Sequence, residues 1–326
     1  RLPPASLTKM MTAYIAEREL AEGRASMDDL VPISVKAWQT GGSRTFVREG
    51  TEVRFEDLLK GVIIQSGNDA SVALAEYLAG SEEVFADLMN QTAVSIGMTG
   101  SQFKNSTGLP AEGHYTTARD MAILAARTIS DYPETYSIYA EKSFTYNNIR
   151  QANRNTLLFR DPTVDGLKTG HTQEAGYCLV ASANRDGFRL ISVVMGTDSE
   201  KAREQETTKL MQYGYRYFSG KTLFEAGAEL PQSTRKVWFG QSDSVELMTT
   251  EPLYVTLPLG RESSIQATLD APDTLDAPLN QGDVVGTVRI MLGDRVLAES
   301  PVAVASDIPQ GGLFKRLIDF VMKLLA

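Results

Sequence analysis

The tetrapeptide Ser6-Leu7-Thr8-Lys9 lies close to the N-terminus, and the two prolines Pro3 and Pro4 precede it with one alanine between. Apolar residues at helical spacing follow it, and proline at the entrance of such a pattern is typical of the first turn of a helix. Residues three apart share a helix face, so the side chains of Ser6 and Lys9 can meet near the positive end of the helix dipole. A serine hydroxyl becomes a nucleophile when a base takes its proton. A lysine becomes that base when burial or a nearby positive charge lowers its pKa.

Two further short motifs follow downstream, Ser66-Gly67-Asn68 and Lys168-Thr169-Gly170. An apolar helical pattern from Phe55 to Ile64 precedes the first of them and another follows it, which predicts a tight connection between two buried helices. Polar groups at such a junction are hydrogen-bonded or functional, although serine and asparagine also serve as plain helix caps. Taken alone, each motif is a weak indication of catalysis. Their occurrence together with Ser6 and Lys9 makes an active site the preferred interpretation.

The composition limits the classes of function. With 326 residues the chain is long enough for two domains, and its net charge of -9 argues against nucleic acid as a partner. Cys178 is the single cysteine and His114 and His171 are the two histidines, so a Cys/His metal cluster is not expected. Cys178 falls in an apolar strand pattern and is predicted to lie in the core, one strand away from the expected site, so we expect a thiol reagent to disturb activity. His114 is expected at the surface or as a cap.

The first two thirds of the chain mix helical and strand patterns. Residues 31–54 are predicted to form short strands and turns, and Gly41-Gly42-Ser43 is taken as a plain loop rather than an active-site flap. Buried strands are predicted over residues 176–183 and 190–196, joined by the hairpin signal Asp186-Gly187. A helix is predicted over residues 199–218. These patterns predict an α+β domain over residues 1–219.

The last third of the chain differs in character. Short strand patterns separated by turn residues predict a small all-β domain over residues 220–308, without any catalytic constellation. In the tail, residues 309–326, apolar side chains fall on one half of a helical wheel and charged ones on the other. A basic amphipathic helix at a chain end favours binding flat on an anionic membrane. Docking of this helix on its own domain is the alternative.

Taken together, the motifs resemble those of the low-molecular-mass penicillin-binding proteins, the D-alanyl-D-alanine carboxypeptidases of the penicillin-binding protein 5 and 6 type from Gram-negative bacteria. The motifs that carry this resemblance are Pro4-Ala5-Ser6-Leu7-Thr8-Lys9, residues 65–70 around Ser66-Gly67-Asn68, and residues 165–171, which end in Lys168-Thr169-Gly170-His171. The resemblance implies a transpeptidase-like antiparallel sheet flanked by helices, with the Lys168 motif on its edge strand. It also implies a segment ahead of Ser6 that supplies further edge strands, which this sequence lacks, and a periplasmic protein attached to the outer face of the inner membrane by the tail.

The resemblance further implies a reaction and its residues. Ser6 would attack the carbonyl between the last two D-alanines of a peptidoglycan stem peptide, with Lys9 as base, kept neutral by charges such as that of Lys168. Ser66 and Lys168 would pass a proton to the leaving amine, and Asn68 would hold Lys9 and the substrate amide. The backbone N–H groups of Ser6 and His171 would form the oxyanion hole, with Gly170 on the same strand also at the substrate. Thr169 and Arg154 would bind the terminal carboxylate of the substrate. Neither a metal nor a cofactor is expected, and β-lactam antibiotics would acylate Ser6.

Four other interpretations compete. Arg154 fits a structural ion pair as well as a carboxylate site. A histidine-based triad around His171 is disfavoured because Lys9 already holds the position of the base. A serine β-lactamase would need a glutamate for deacylation, and no glutamate lies between Glu83 and Glu112. A non-catalytic, membrane-tethered peptidoglycan-binding protein is the alternative from another class.

Overall fold

A computed structural model describes residues 1–325 of the chain. The chain divides into two compact units, the first covering Arg1–Tyr215 and the second beginning at Arg216. The first unit contains all three motifs, and the second contains the predicted β domain and the tail.

The first unit consists of eight helices and seven strands among its described residues. The helices are α1 (Thr8–Ala21), α2 (Val35–Gln39), α3 (Phe55–Lys60), α4 (Asn68–Ala79), α5 (Glu82–Ser95), α6 (Ala118–Asp131), α7 (Pro133–Tyr136) and α8 (Glu200–Tyr217). The strands are β1 (Leu30–Pro32), β2 (Glu52–Arg54), β3 (Ser143–Tyr146), β4 (Ile149–Ala152), β5 (Val164–Thr172), β6 (Gly176–Arg185) and β7 (Phe188–Thr197). Helices and an antiparallel sheet in one unit agree with the predicted α+β class.

Helix α1 is the centre of this unit. All of residues 8–17 are buried, including the polar side chains of Lys9, Thr12 and Glu17. A helix surrounded by protein needs no polar face, so its side chains pack on neighbours in every direction. A short 3₁₀ turn, Ala5–Leu7, precedes it and carries Ser6. The nucleophile therefore projects from the N-terminal end of the most buried helix of the unit.

The central sheet has the strand order β5-β6-β7 and is antiparallel throughout. Lys168 pairs with Val180 and Gly170 with Cys178, so the Lys-Thr-Gly motif lies on edge strand β5. The hairpin between β6 and β7 turns at Asp186 and Gly187, both with positive φ, as the Asp-Gly signal predicts. This edge strand faces the turn that carries Ser6.

Two local predictions were wrong. Residues 35–39, expected to be strands and turns, form helix α2, because Ser34 caps it by accepting a hydrogen bond from the Ala37 N–H at 3.0 Å. The helix predicted to run to Ile64 changes after Lys60 into a π-helical turn, Gly61–Gln65. Such turns are frequent at functional sites, and this one ends at Ser66.

The second unit is built from strands. Its strands are β8 (Phe218–Phe224), β9 (Arg235–Trp238), β10 (Ser244–Val245), β11 (Leu247–Thr249), β12 (Leu253–Pro258), β13 (Ile265–Asp270), β14 (Thr274–Asp276), β15 (Val284–Leu292) and β16 (Arg295–Val304). They form sheets of the orders β10-β9-β14, β11-β16-β15-β13 and β12-β8, which enclose a separate apolar core. The predicted all-β character of this part is confirmed.

Helix α9 (Leu313–Leu325) follows the strands. Its apolar side chains are exposed: Leu313, Phe314, Leu317, Ile318, Phe320, Val321, Met322, Leu324 and Leu325 all have at least 49% of their surface accessible. Three of its charged side chains, Lys315, Asp319 and Lys323, instead contact the part of the second unit that precedes it. Ala326, the last residue of the predicted tail, lies outside the described residues. Across residues 1–325 no helix combines the length and the apolar character that crossing a membrane requires.

Glu17 is a buried acid without a counter-charge. Its carboxyl faces the hydroxyls of Thr135 and Tyr139, but neither oxygen makes a hydrogen bond of normal geometry among the described residues. Burial raises the pKa of Glu17 well above its usual range. The neutral form therefore predominates in the folded state over a wider pH range than in the unfolded chain.

We expect the substitution Glu17→Gln to stabilise the protein at high pH. A raised folded-state pKa contributes stability that is present at low pH and is lost as pH rises through the folded value. Chemical denaturation at pH 5 and pH 8 should show little difference at pH 5 and a gain of at least about 1 kcal/mol at pH 8. The exposed neighbour substitution Glu134→Gln is the control and should leave the pH dependence unchanged. A parallel pH dependence in parent and Glu17→Gln would contradict this assignment.

Candidate active site

Ser6 and Lys9 are in contact. The Lys9 ammonium donates to Ser6 Oγ at 3.1 Å and to the Thr107 carbonyl oxygen at 2.6 Å. One turn of helix separates the two residues, as the sequence spacing predicts. Lys9 is only 1% exposed, so its amine reaches the nucleophile inside the protein rather than through solvent.

Burial lowers the pKa of Lys9 to about 7, because removal from water disfavours the ammonium form. The negative charge of Asp69 acts in the opposite direction and is the smaller effect. Burial, and not the expected effect of the Lys168 charge, is therefore the main cause of the low pKa of Lys9. At neutral pH a substantial fraction of Lys9 is therefore in the neutral amine form, which can accept the proton of Ser6.

Ser66 lies at the end of the π-helical turn, in the left-handed region with φ of 68°. Its Oγ is buried and has no hydrogen-bond partner among the described residues. A buried hydroxyl without a partner is unusual and is available to a bound substrate. The tight connection between two helices that the sequence predicts is therefore found here, with an unusual backbone geometry.

Asn68 begins helix α4 and ties this turn to the loop before it. Its N–H donates to the Ser43 carbonyl oxygen at 2.7 Å, and its Nδ2 donates to that of Gly41 at 2.6 Å. Within residues 1–325 there is no hydrogen bond between Asn68 and Lys9, the contact that the resemblance implied. In this structure the side chain of Asn68 holds the loop.

The middle residue of the second motif has no room for a side chain. A Cβ on Gly67 would lie 2.1 Å from Thr45 Oγ1 and 2.9 Å from Asp69 Oδ1. Both distances are shorter than van der Waals contact. This explains in physical terms why glycine, and not the aspartate of a Ser-Asp-Asn motif, stands between Ser66 and Asn68.

Lys168 is a second buried lysine, 2% exposed, and donates to the Thr169 carbonyl oxygen at 3.1 Å. Burial lowers the pKa of Lys168 well below its usual range, and the positive charges of Lys9, Arg154 and Arg203 lower it further. Lys9 and Lys168 thus lie close enough for their charges to interact, and the pKa values of both are depressed. This arrangement favours proton transfer in both directions.

Gly170 allows strand β5 to approach the turn that carries Ser6. A Cβ at Gly170 would lie 3.1 Å from the Pro4 carbonyl oxygen and 3.2 Å from the Leu7 nitrogen. The next residue, His171, is exposed at the strand end. Its ring stacks on Tyr177 with centroids 3.9 Å apart, and its Nδ1 lies 3.1 Å from the Gly176 carbonyl oxygen.

A cavity of about 560 Å³ joins these residues. Ser6, Ser66, Thr169, Gly170 and His171 line it together with Arg154 and Arg203. No carboxylate pairs with Arg154 in the described part of the chain, which favours a ligand-binding role over a structural ion pair.

Arg203 is the residue that the sequence did not predict. It lies on α8 and is 5% exposed; its Nη2 donates to Glu200 Oε1 at 3.4 Å, while its Nε has no hydrogen-bond partner among residues 1–325. Its guanidinium lies 5.7 Å from the ring centroid of Tyr177. No motif surrounds it, so only the folded chain brings it to the cavity.

The remaining candidates lie away from the cavity lining. His114 is buried rather than at the surface, with its Nε2 3.0 Å from Thr8 Oγ1. Burial lowers the pKa of His114 to about 4, so this residue is a neutral partner of α1 at physiological pH. Cys178 is fully buried, as predicted. The described residues contain no cluster of His, Cys, Asp or Glu suited to a metal ion.

Both parts of the chain match known families. Residues 1–199 match the family model described as D-alanyl-D-alanine carboxypeptidase, and residues 218–310 match the model of the penicillin-binding protein 5 C-terminal domain. D-alanyl-D-alanine carboxypeptidase DacC of Escherichia coli K12 is 44% identical over 331 residues, which cover 99% of this chain and 82% of that protein.

Solved structures give the same result. Penicillin-binding protein 5 from Haemophilus influenzae superposes with a TM-score of 0.83 at 42% identity, over 94% of this chain and 91% of that one. Penicillin-binding protein D2 from Listeria monocytogenes in its ampicillin-bound form has a TM-score of 0.60 at 30% identity, over 66% of this chain and 88% of that one. The transpeptidase-like fold expected from the resemblance is thereby confirmed.

We expect the substitution Gly67→Ala to destabilise the first unit. The added methyl group must displace Thr45, which is fully buried, and overpacking of this kind costs about 1–3 kcal/mol. Chemical denaturation measures the effect. Gly312→Ala, where a Cβ meets nothing within 4 Å, is the matched control and should be neutral. Equal stability of the two variants would show that the turn can expand at no cost.

Proposed function

The chain belongs to the D-alanyl-D-alanine carboxypeptidase family, and we propose that its reaction proceeds through an acyl-enzyme on Ser6. The protein is a serine-type D-Ala-D-Ala carboxypeptidase that removes the terminal D-alanine from peptidoglycan stem peptides. The single observation that carries the proposed mechanism is the 3.1 Å contact between Lys9 Nζ and Ser6 Oγ inside a buried site. We assign catalysis to a domain of residues 1–219. The all-β domain comprises residues 220–308 in this assignment.

In the first step Lys9 takes the Ser6 proton while Oγ bonds to the carbonyl carbon of the penultimate D-alanine. A pKa of about 7 supports this role, because the amine is partly neutral yet basic enough to hold the proton. The carbonyl oxygen acquires negative charge in the tetrahedral intermediate. The family resemblance assigns its stabilisation to the N–H groups of Ser6 and His171, and loss of one such donor typically costs ~10²-fold or more in rate.

Collapse of the intermediate breaks the peptide bond, and the leaving nitrogen needs a proton. The buried Ser66 hydroxyl, which has no partner among the described residues, is proposed to deliver it. The proton that Lys9 took from Ser6 replaces the one that Ser66 gives up, and the nearby Lys168 on strand β5 assists this transfer. The family resemblance assigns Asn68 to the substrate amide, and Gly170 keeps strand β5 close to Ser6.

The substrate ends in a carboxylate, which needs cationic and hydroxyl partners. Thr169 and Arg154 line the cavity, and we add Arg203, whose buried guanidinium has an unpaired Nε. A guanidinium fork matches the two oxygens of a carboxylate. Binding of this terminus orients the scissile carbonyl toward Ser6.

Water then hydrolyses the acyl-enzyme and releases the shortened peptide. β-Lactams mimic the D-Ala-D-Ala terminus, acylate Ser6 and thereby inhibit the enzyme. No glutamate lies between Glu83 and Glu112 to speed deacylation as in class A β-lactamases. We therefore expect one equivalent of a chromogenic cephalosporin to be consumed quickly, and sustained rapid hydrolysis would favour the β-lactamase alternative.

The nucleophile is tested by release of D-alanine from a peptide that ends in D-Ala-D-Ala. We expect steady release by the parent chain and none by Ser6→Ala, because no other residue forms the acyl bond. A fluorescent penicillin should label the parent and fail to label the variant. Labelling of the parent without D-alanine release would show that Ser6 is acylated but that the acyl-enzyme is not hydrolysed. Absence of both labelling and release would favour a non-catalytic binding protein.

Acylation should increase with pH through the pKa of Lys9. Since only the neutral amine accepts the Ser6 proton, the acylation rate constant for benzylpenicillin should rise between pH 6 and pH 8 with a midpoint of about 7. Lys9→Arg keeps the positive charge but stays protonated, and should lower the rate ~10²-fold or more at every pH. A pH-independent rate in the parent chain would argue against Lys9 as the base.

For the tail, residues 309–326, we propose attachment to the outer face of the inner membrane and thus a periplasmic site of action. The orientation of α9 supports this proposal. Asp319 is buried and accepts from the Phe239 N–H at 2.7 Å, and Lys315 and Lys323 pair with Asp243 and Asp276 at 2.6 Å. The polar face is held by the second unit, and the apolar face is left for the lipid.

These ion pairs change how the membrane should be bound. Lys315 and Lys323 already pair with carboxylates, so Arg316 is the one cation of α9 left without a carboxylate partner among the described residues. Burial of the apolar face supplies the binding free energy instead. The sequence predicts that the tail binds anionic membranes. From these contacts we expect it to bind any fluid lipid surface instead.

We expect the full chain to bind neutral and anionic vesicles alike, with little effect of salt. Co-sedimentation at low and high ionic strength measures this. Leu317→Ser combined with Phe320→Ser should abolish binding, while Tyr254→Ser, an exposed aromatic position elsewhere in the second unit, should not. Binding restricted to anionic vesicles and lost in salt would show that electrostatic attraction dominates.

A further inference from the structure

Two exposed apolar side chains lie in the wall of the active-site cavity. Phe46 is 43% exposed and Ile149 is 41% exposed, and both line the cavity that contains Ser6. Most of the other lining side chains are polar or charged. The partly exposed aromatic ring of Phe46 thus leaves apolar surface free for a ligand in the cavity that contains the catalytic serine.

The backbone at Phe46 is strained. Its φ of 70° lies in the left-handed region, which a bulky L-residue rarely adopts because its Cβ crowds the backbone there. Such strain persists only where the surroundings enforce it, and it is concentrated at functional sites. The unusual conformation determines where the ring lies.

Asp69 enforces this conformation. Its fully buried carboxylate accepts hydrogen bonds from the N–H groups of Thr45 at 2.7 Å, Phe46 at 2.8 Å and Val47 at 3.2 Å. Charge-assisted bonds of this kind are stronger than neutral ones, so three of them offset the strain.

The hairpin that carries Ile149 is bound to the same loop. Asn147 Nδ2 donates to the Phe46 carbonyl oxygen at 3.1 Å, and Gln151 Nε2 donates to that of Thr45 at 3.2 Å. These bonds hold the two apolar side chains in one wall. Since Asn68 also bonds to this loop, the wall has a fixed position relative to the catalytic turn.

We propose that Phe46 and Ile149 form an apolar subsite for the acyl-donor part of the substrate, the residue that precedes D-Ala-D-Ala. This assignment rests on the proposed function. The leaving D-alanine has only a methyl group and a carboxylate, and the cationic residues Arg154 and Arg203 suit that end. The apolar wall therefore suits the aliphatic side chain of the residue before the D-alanines, which it shields from water.

The test compares D-alanine release from two peptides that differ at this one position, acetyl-glycyl-D-Ala-D-Ala and acetyl-norleucyl-D-Ala-D-Ala. For the parent chain we expect kcat/KM to be about tenfold higher for the norleucyl peptide, since partial burial of its four carbons gains roughly that factor. The difference should appear mainly in KM, because the contact is made equally before and during the reaction.

Phe46→Asn removes the ring and keeps a residue that tolerates the left-handed conformation. It should reduce the preference to less than twofold and leave kcat/KM for the glycyl peptide nearly unchanged. Ile149→Thr, which stays β-branched, should act in the same direction. Val284→Thr, an exposed valine in the second unit, is the control and should have no effect.

Each outcome separates two claims. Equal kcat/KM for both peptides in the parent chain, or equal loss for both peptides in Phe46→Asn, would overturn the subsite while leaving the carboxypeptidase mechanism intact. Failure of the parent chain to release D-alanine from either peptide would contradict the proposed function, and the subsite with it.

Discussion

Removal of the Lys9 amine from water is the interaction on which the rest of the site depends. An ammonium group in water is a poor base at neutral pH, and only the dry surroundings of α1 bring its pKa to about 7. The cost of this burial is met by packing around the whole helix, where residues 8–17 are all buried. The close contact of strand β5 at Gly170 completes the enclosure and adds Lys168. Catalytic potential here is thus a property of the packing of the first unit, and not of two residues alone.

Sequence reasoning succeeded where a function is encoded in adjacent residues. The Ser6/Lys9 spacing, the junction at Ser66 and the strand around Lys168 could be predicted because local backbone geometry fixes which side chains share a face. Arg203 could not be predicted, since α8 reaches the cavity only through tertiary packing. The left-handed conformation of Phe46 was equally invisible, because it is imposed by Asp69 from another segment and runs against the local preference of phenylalanine.

The tail shows the limit of periodicity in another way. The helical wheel correctly separates apolar from charged side chains, and α9 does form. The helical wheel does not predict which residues contact the charged face. Asp243 and Asp276, which pair with Lys315 and Lys323, are distant from the helix in sequence. A pattern that indicated electrostatic attraction to lipid therefore describes ion pairs within the protein.

His171 illustrates the same point, since its stacking on Tyr177 and its Gly176 contact come from the strand ends rather than from its motif.

Asp69 has a consequence for how this site can change during evolution. One carboxylate holds the loop beneath Phe46, limits the room at Gly67 and lies beside Asn68 at the start of α4. A mutation that reshapes the loop to admit another peptide, or to exclude an antibiotic, also disturbs the turn that carries Ser66. Substrate range and catalytic competence are therefore not independently variable, and adaptive changes in this wall should arise in pairs of compensating mutations rather than singly.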